Sequence, residues 1–329
     1  MKFHLRFAIL LWAACGLQLT STRGGQSPLA DAQRDFNAGR YHRAVDALTD
    51  AVAKSPNDAP LHFLLGQCYY ELQEYTRAAT SFERSVQLLP NQSEYHDWLG
   101  KAYGRKAEEV IFLSAIGWAR KTHKEFETAV RLDPSNFQAQ RDLIRFEMNA
   151  PAIVSGGDDH ALKHIGDLEK IDALQGQLAR GEFFATKKRF AEADAVFAKV
   201  LESNTDRIGV YLEAADYYRD RLNAEKMSES VAAAERIDSD DRRLKFYRGV
   251  LLVLKKDNPA EAESLLKSYL ATAPDNSDLP PHAFALEWLG KLHEGQSRFS
   301  EAAEDYRAAL ALDPHNKPVE EAWKRVQKK

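Results

Sequence analysis

The 329-residue sequence contains only two cysteines, which leaves no basis for a disulfide framework or a cysteine-based metal site. After residue 25 it has no apolar run near the roughly 18 residues that a transmembrane helix needs. Its formal net charge of -4 offers no basic stripe, so we expect no nucleic acid binding. It has neither a nucleophile elbow nor a Walker-type phosphate loop. We therefore expect no enzyme activity and no cofactor.

Residues 1–25 differ in character from the rest of the chain. Lys2 and Arg6 precede an apolar run from Phe7 to Leu19, and small and polar residues follow as far as Gly25. This order is typical of a secretory signal peptide, and the run is too short to span a bilayer comfortably. The alternative is a buried first helix. We favour export to the periplasm or the cell envelope.

The dominant feature of the remaining chain is a pattern that repeats about every 34 residues. Small residues allow two helices to approach closely, an alanine and an aromatic residue form one apolar helix face, and a proline ends the second helix. The pattern therefore predicts a series of helix hairpins. The clearest copies, with identical internal spacing, are Gly66-Ala78-Phe82-Ser85-Pro90 and Gly290-Ala302-Tyr306-Ala309-Pro314.

This pattern resembles the signature of the tetratricopeptide repeat (TPR) superfamily, and the resemblance covers residues 28–329. It implies an all-α, right-handed solenoid of about eight TPR-like helix hairpins with a C-terminal capping helix from Val319 to Lys328. In such solenoids the first helix of each hairpin lines a concave groove that holds a peptide or another protein. The resemblance thus implies a non-catalytic scaffold for a protein or peptide partner, whose identity the sequence does not reveal.

The resemblance also indicates which side chains face the groove. Aromatic and arginine side chains are common anchors in binding surfaces, although these same residues would alternatively pack between adjacent hairpins. The lysine and asparagine by which some TPR domains clasp chaperone C-termini are absent, because Asp97 and other residues occupy the matching positions. The groove candidates in the second and third repeats are Phe63, Gln67, Tyr70, Asp97, Lys101 and Arg105.

The third repeat is about ten residues longer than the others, with the extra residues at about 104–121. So apolar a segment is not expected to remain in water without contacts. We expect it to extend the first helix and pack along the solenoid, to lie in the groove, or to contact a partner. The apolar partner-binding candidates in this segment are Ile111, Phe112, Ile116 and Trp118.

A second irregularity occurs at about 150–160. Pro151 is expected to end a helix, and the pair Gly156-Gly157 permits unusual backbone angles. Asp158 or Asp159 is then expected to cap a helix that begins near residue 160. The segment lacks the lysine and longer glycine-rich loop of a phosphate site, which favours a structural turn.

His160 and His164 are four residues apart on that helix, so both are able to face the same side. With neighbouring aspartates, this spacing is compatible with a divalent metal site. A solvated polar helix face is the alternative, and no third ligand is set by the spacing. We expect no metal, with these two histidines as the candidates if one binds.

Cys15 adds a second interpretation of the N-terminus. It follows Trp12, Ala13 and Ala14 and resembles the lipobox of bacterial lipoproteins, although an aliphatic residue is expected where Trp12 stands. Cys15 is therefore either a lipid anchor, which would be the expected membrane contact, or is removed with the signal peptide. The other cysteine, Cys68, is expected to be a small buried residue.

A looser similarity to the periplasmic repeat component associated with some TRAP transporters gives an alternative function. On this alternative the protein is a periplasmic small-ligand-binding or transporter-associated component. It would hold the ligand in an apolar pocket walled by residues 104–121.

Overall fold

The computed structural model describes residues 27–272, 279–314 and 316–329, with the backbone alone for Phe112. In these ranges every regular element is a helix, and none of them is both long and apolar enough to cross a membrane. The predicted signal peptide and Cys15 lie outside the described residues. The α-helices are α1 Pro28–Asn37, α2 Tyr41–Lys54, α3 Ala59–Glu71, α4 Tyr75–Leu88, α5 Ser93–Glu109, α6 Phe112–Leu132, α7 Phe137–Asn149, α8 Asp158–Ile171, α9 Ala173–Thr186, α10 Phe190–Leu201, α11 Ile208–Asp220, α12 Ala224–Ile237, α13 Leu244–Lys255, α14 Pro259–Leu270, α15 His282–Gly295, α16 Phe299–Leu312 and α17 Lys317–Val326.

Consecutive helices pack as eight hairpins, from α1–α2 to α15–α16, and each hairpin packs against the next. The last helix, α17, packs against α16 through Val319, Ala322 and Val326, while its other face is polar. The apolar core is therefore distributed along the solenoid in several clusters rather than around one centre. This arrangement confirms the expected all-α solenoid of about eight hairpins with a C-terminal capping helix.

Five of the eight described hairpins are closed by a glycine of the first helix against a ring or leucine of the second. A Cβ added to Gly66 would lie 2.6 Å from the ring of Phe82, and one added to Gly290 would lie 2.5 Å from Tyr306. Since real Cβ atoms do not approach so closely, only glycine permits this helix separation. The other contacts of this kind are Gly100 with Phe126, Gly181 with Phe197, and Gly249 with Leu266.

Local sequence also explains where several helices begin. The side chain of Asp58 accepts a hydrogen bond from the backbone N–H of Leu61, which is 3.2 Å away. This bond satisfies one of the backbone donors that the first turn of a helix leaves unpaired. Side-chain caps of the same kind are formed by Asn136, Asp172, Asn223, Asn258 and Asn316.

The turn inside a hairpin places one residue in the left-handed backbone region. Gly39 has a φ of 69° in the first hairpin, where glycine adopts this conformation without strain. Gln73 takes the equivalent position in the second hairpin with a φ of 60°, and Leu222 in the sixth with a φ of 54°. The turn is therefore a property of the repeat, because the hairpin geometry imposes it on residues that do not favour it.

The third hairpin has longer helices than its neighbours. Its helices α5 and α6 have 17 and 21 residues, whereas α3 and α4 have 13 and 14. The segment 104–121 therefore adds turns to both helices, whereas one of the three alternatives given above extended the first helix alone. The added turns form an extension that ends at the connection between Glu109 and Phe112.

Between α7 and α8 the chain forms a short 3-10 helix, Ala152–Val154, which packs against α6. A Cβ on Gly156 would lie 1.8 Å from the carbonyl oxygen of Ala150, and Gly157 has a φ of 138°. Gly157 is the N-cap of α8, with no side-chain cap. The expectation that Asp158 or Asp159 caps this helix was therefore wrong. Both lie in its first turn instead, where the helix dipole stabilises their negative charges.

Candidate partner-binding groove and its cavities

The odd-numbered helices form the inner layer of the solenoid. Every odd-numbered helix from α1 to α13 contacts the next odd-numbered helix, whereas among the even-numbered helices of the described residues α10 and α12 are the one pair with a comparable contact. Rows of helices on the inside of a curve lie closer together than rows on the outside. The first helices of the hairpins therefore line the concave groove, as the resemblance implied.

Phe63 and Tyr70 lie where the second and third hairpins meet. The ring of Phe63 stacks on Tyr95 with ring centroids 4.4 Å apart, and the ring of Tyr70 meets Trp98 edge-on at 5.4 Å. Both side chains are partly buried by these contacts. Their first role is thus to join two hairpins, and the alternative stated above, packing between hairpins, describes them well.

Lys101 and Arg105 already have partners within the chain. Lys101 Nζ lies 2.7 Å from Asp97 Oδ2 and 3.1 Å from Asp142 Oδ2. Arg105 donates to the hydroxyl of Tyr75 at 3.1 Å and to Glu108 at 2.7 Å. A ligand would have to displace these carboxylates, so Lys101 and Arg105 are less available than the sequence suggested.

Further along the groove the same kind of pairing continues. Arg141 bonds to Glu182 at 2.9 Å and to Glu213, and Arg145 bonds to Glu182 at 2.5 Å. These charges line a second cavity of about 580 Å³. We call the whole set the groove ion-pair network, and its members are Asp97, Lys101, Arg141, Asp142, Arg145, Glu182 and Glu213.

Two polar atoms of this network are buried without a hydrogen-bond partner in the described part of the chain, namely Asp97 Oδ1 and Arg141 Nε. Burial raises the pKa of Asp97 to about 6, against the opposing effect of Lys101. The partners of Arg141 overcome its burial and raise its pKa further. The network therefore stabilises the charged form of Arg141, whereas burial destabilises the ionised form of Asp97.

A larger cavity, of about 1090 Å³, lies between the two ends of the solenoid. One wall is formed by α1, α3 and α5, and the other by residues 279–284 with residues 312 and 313. Phe63 and Gln67 line this end cavity, but no residue of 104–121 does. Sequence reasoning missed the cavity, because its walls come from repeats that are more than 180 residues apart along the chain.

The connection of the third hairpin presents apolar side chains to solvent. Ile111 is 75% exposed and Leu113 is 78% exposed, and both lie beside Val110 at the end of the extension. We call these three residues the hairpin tip. Ile116 is partly buried, and the side chain of Phe112 lies outside the described residues.

Trp118 lies on the body of the extension rather than at its tip. Its ring packs on Tyr103 with centroids 5.4 Å apart, and the amines of Lys106 and Lys121 lie over it at 3.9 and 4.5 Å. These contacts hold the α5 and α6 parts of the extension together. Trp118 is thus mainly a packing residue, and Ile111 is the more accessible of the two candidates.

The two candidate metal-binding histidines are not brought together. His160 is exposed, whereas His164 Nδ1 lies 2.8 Å from a carboxylate oxygen of the fully buried Glu147. His123 approaches the other oxygen of Glu147 at 3.5 Å. The histidine that faces inward therefore pairs with a buried carboxylate, and the other meets solvent.

A different group has the geometry of a metal site. Ligand atoms of Glu263, His293 and Glu301 lie within 4.8 Å of one another. Arg298, however, donates to both glutamates, and Lys267 donates to Glu263 at 2.5 Å. The hydrogen bonds from Arg298 and then Lys267 lower the pKa of Glu263 to about 2. The protein's own cations thus neutralise this group.

Two segments of the chain match a known family of repeats. Residues 29–93 and 283–316 each match a tetratricopeptide repeat model. Among curated proteins, intraflagellar transport protein 70A of Bos taurus is 23% identical over 289 residues, covering 79% of this chain and 42% of that protein. Anaphase-promoting complex subunit 3 of Dictyostelium discoideum is 36% identical over 60 residues, covering 18% of this chain and 6% of that protein.

The chain spans less than half the length of the first curated relatives that it matches. Among solved structures, a tetratricopeptide repeat protein from Parabacteroides merdae aligns with a TM-score of 0.44 at 13% identity, over 91% of this chain and 97% of that one. The repeat matches lie near both ends of the described chain, and the described residues between them form further helix hairpins. Residues 29–93 and 283–316 are therefore tetratricopeptide repeats, and the chain as a whole is similar to tetratricopeptide repeat proteins.

Proposed function

We propose that this chain is a non-catalytic scaffold that binds another protein through its concave groove and the extension at 104–121. TPR proteins in general mediate protein–protein interactions, which supports the scaffold role. The observation that carries the proposal is the hairpin tip, because Ile111 and Leu113 are the two most exposed large apolar side chains of the described residues. Exposed apolar side chains on an ordered element are typical of contact surfaces.

The location belongs to the same proposal. A charged start, a short apolar run and a small-residue exit in residues 1–25 favour export to the periplasm or cell envelope. Cys15 then either carries a lipid or is removed with the signal peptide. Mass spectrometry of the mature protein distinguishes the two outcomes, because it reports the first residue and any added lipid.

The test of the scaffold role compares capture of neighbours in the native cell by crosslinking and mass spectrometry. The double variant Ile111→Asp/Leu113→Asp is expected to lose the main crosslinked protein. The matched control Ile171→Asp/Leu222→Asp also replaces two exposed apolar side chains, which are 47% and 67% exposed, and is expected to retain it. The captured protein is then purified and its direct binding to both variants is measured. Equal capture by both would refute a role for the tip.

The end cavity favours one further candidate, a component that binds a small ligand for a transporter. Its volume of about 1090 Å³ is sufficient for such a ligand. Residues 104–121 do not form its wall, however, which differs from the pocket that this alternative was expected to have. Native mass spectrometry of the purified protein tests the candidate, and a bare polypeptide mass would count against it.

A further inference from the structure

The end cavity is acidic in a way that the rest of the groove is not. Three carboxylates, of Glu71, Glu94 and Asp313, line it, and none of its described lining residues is lysine or arginine. His282 adds no positive charge at neutral pH, because burial lowers its pKa. The cavity therefore carries negative charge that its own walls do not neutralise.

Glu71 and Glu94 are accessible but unpaired. Neither forms an ion pair or a side-chain hydrogen bond within residues 27–272, 279–314 and 316–329, although solvent reaches both side chains. Desolvation by the surrounding protein raises the pKa of Glu71. It also raises the pKa of Glu94, against the opposing effect of Lys101. A cation that enters the cavity would stabilise the ionised form of both carboxylates.

Between these carboxylates the walls are aromatic. Phe63 stacks on Tyr95, and the cavity also exposes parts of Trp98 and of Phe36, whose ring lies 5.4 Å from that of Tyr41. Aromatic faces attract ammonium and guanidinium groups and also pack against the methylene chains that carry them. The walls are thus complementary to long basic side chains rather than to a small inorganic cation.

The two unpaired carboxylates lie at opposite ends of adjacent helices. Gly66 of α3 and Gly100 of α5 occupy equivalent positions, since each receives the ring of its own hairpin. Glu94 is therefore level with Pro60, and Glu71 lies eleven residues further along α3. At 1.5 Å per residue this separation is about 16 Å along the helix axis. An extended peptide covers it in about five residues.

We propose that the end cavity binds an extended basic peptide segment of the partner protein, with one lysine or arginine at Glu71 and a second, about five positions away, at Glu94. The apolar parts of these side chains and the residues between them lie on the aromatic wall of Phe63 and Tyr95. This inference rests on the proposed function, because it names the chemistry of the partner that the groove accepts. It assigns the groove and the hairpin tip to different parts of that partner.

The experiment measures fluorescence anisotropy of labelled decapeptides with the purified mature protein. One peptide has two lysines five positions apart among alanine and serine residues, the second has two adjacent lysines, and the third has glutamates at the spaced positions. The spaced lysine peptide is expected to bind at least about tenfold more tightly than the other two. No measurable binding of it at millimolar concentration, or equal binding of both lysine peptides, overturns the proposal.

Two matched variants locate the binding site. Glu71→Gln/Glu94→Gln is expected to weaken binding of the spaced peptide by at least about tenfold. Glu225→Gln/Glu304→Gln removes the same charge from exposed positions outside the cavity and is expected to leave binding unchanged. Equal weakening by both pairs would show general attraction to a negative protein, which also overturns the proposal.

The failure of this inference and that of the proposed function are distinguishable. If the peptides do not bind but crosslinking still depends on the hairpin tip, the scaffold role stands and the basic-peptide assignment is wrong. If the Ile111→Asp/Leu113→Asp variant retains the crosslinked protein and no peptide binds, both are wrong.

Discussion

The groove ion-pair network and the end cavity both place carboxylates on the inner layer of helices. The carboxylates of the network are paired with cations of the described residues, whereas two of those in the cavity are not. In the network Glu182 and Glu213 are held by Arg141, and Lys101 lies between two aspartates. In the end cavity Glu71 and Glu94 have no such partners among the described residues. Paired charges join neighbouring hairpins to one another, whereas unpaired carboxylates remain able to bind a positively charged group of a ligand.

The largest expected effect comes from breaking the network. Arg141→Met removes a largely buried guanidinium and leaves Glu213 without its partner, and we expect a loss of about 3 kcal/mol in the free energy of unfolding. Urea unfolding followed by circular dichroism measures it. Arg236→Met is the control, because Arg236 is exposed, and it is expected to change stability by less than about 0.5 kcal/mol. Equal effects would mean that the network does not hold the hairpins together.

Asp97 belongs to the network through Lys101, and its titration tests how well the network neutralises its charge. Its pKa is about 6 in the folded protein against an ordinary value of 3.8, since burial outweighs the opposing effect of Lys101. The folded state then binds the proton more tightly than the unfolded state. The contribution of Asp97 to the stability of the protein therefore falls as pH rises from about 4 through 6.

Asp97→Asn removes this titration. The stability of the wild type relative to this variant is expected to fall by on the order of 2 kcal/mol between pH 4 and pH 7. Urea unfolding at three pH values measures the difference, with Asp50→Asn, at an exposed site, as the control. A difference that does not vary with pH would show that the carboxylate of Asp97 is adequately neutralised by Lys101 and belongs fully to the network.

The same carboxylate-to-amide substitution is expected to act in the same direction in the end cavity, in contrast to the loss of stability expected when Arg141 is removed from the network. Glu71→Gln/Glu94→Gln removes two carboxylates without partners, and we expect a gain of about 1 kcal/mol at pH 7 after allowing for solvent screening. Thermal unfolding at pH 7 and pH 4 measures it, and the gain should shrink at pH 4. A clear loss of stability would mean that these carboxylates have structural partners, which would remove the contrast between the regions.

The smallest effects are expected in the backbone, where the two regions are alike. Gln73 near the end cavity and Leu222 near the network both adopt the left-handed conformation in their hairpin turns. Gln73→Gly and Leu222→Gly are each expected to stabilise the protein by about 0.5 kcal/mol, because relief of strain exceeds the added freedom of the unfolded chain. Unequal changes in the unfolding midpoint would show that the surroundings of the turns differ as well.

Much of the fold is predictable from short-range spacing. The distance in sequence from Gly66 to Phe82, repeated from Gly290 to Tyr306, reports a contact inside one hairpin, and the structure contains both contacts. The network escaped sequence reasoning because Arg141 meets Glu182 and Glu213, which are 41 and 72 residues away. Aligning the sequences of the first helices at the repeat period is the signal that would have predicted these charges on neighbouring hairpins.

The sequence by itself determined the repeat, the all-helical hairpins and the small residues that close them, because helical spacing and close packing act over one period of about 34 residues. Tertiary structure alone decided which groove charges are paired and which are not. It also brought residues 29–98 to the same cavity as residues 279–313. The physical reason is curvature: small rotations between successive hairpins accumulate along the solenoid, and no local pattern records their sum.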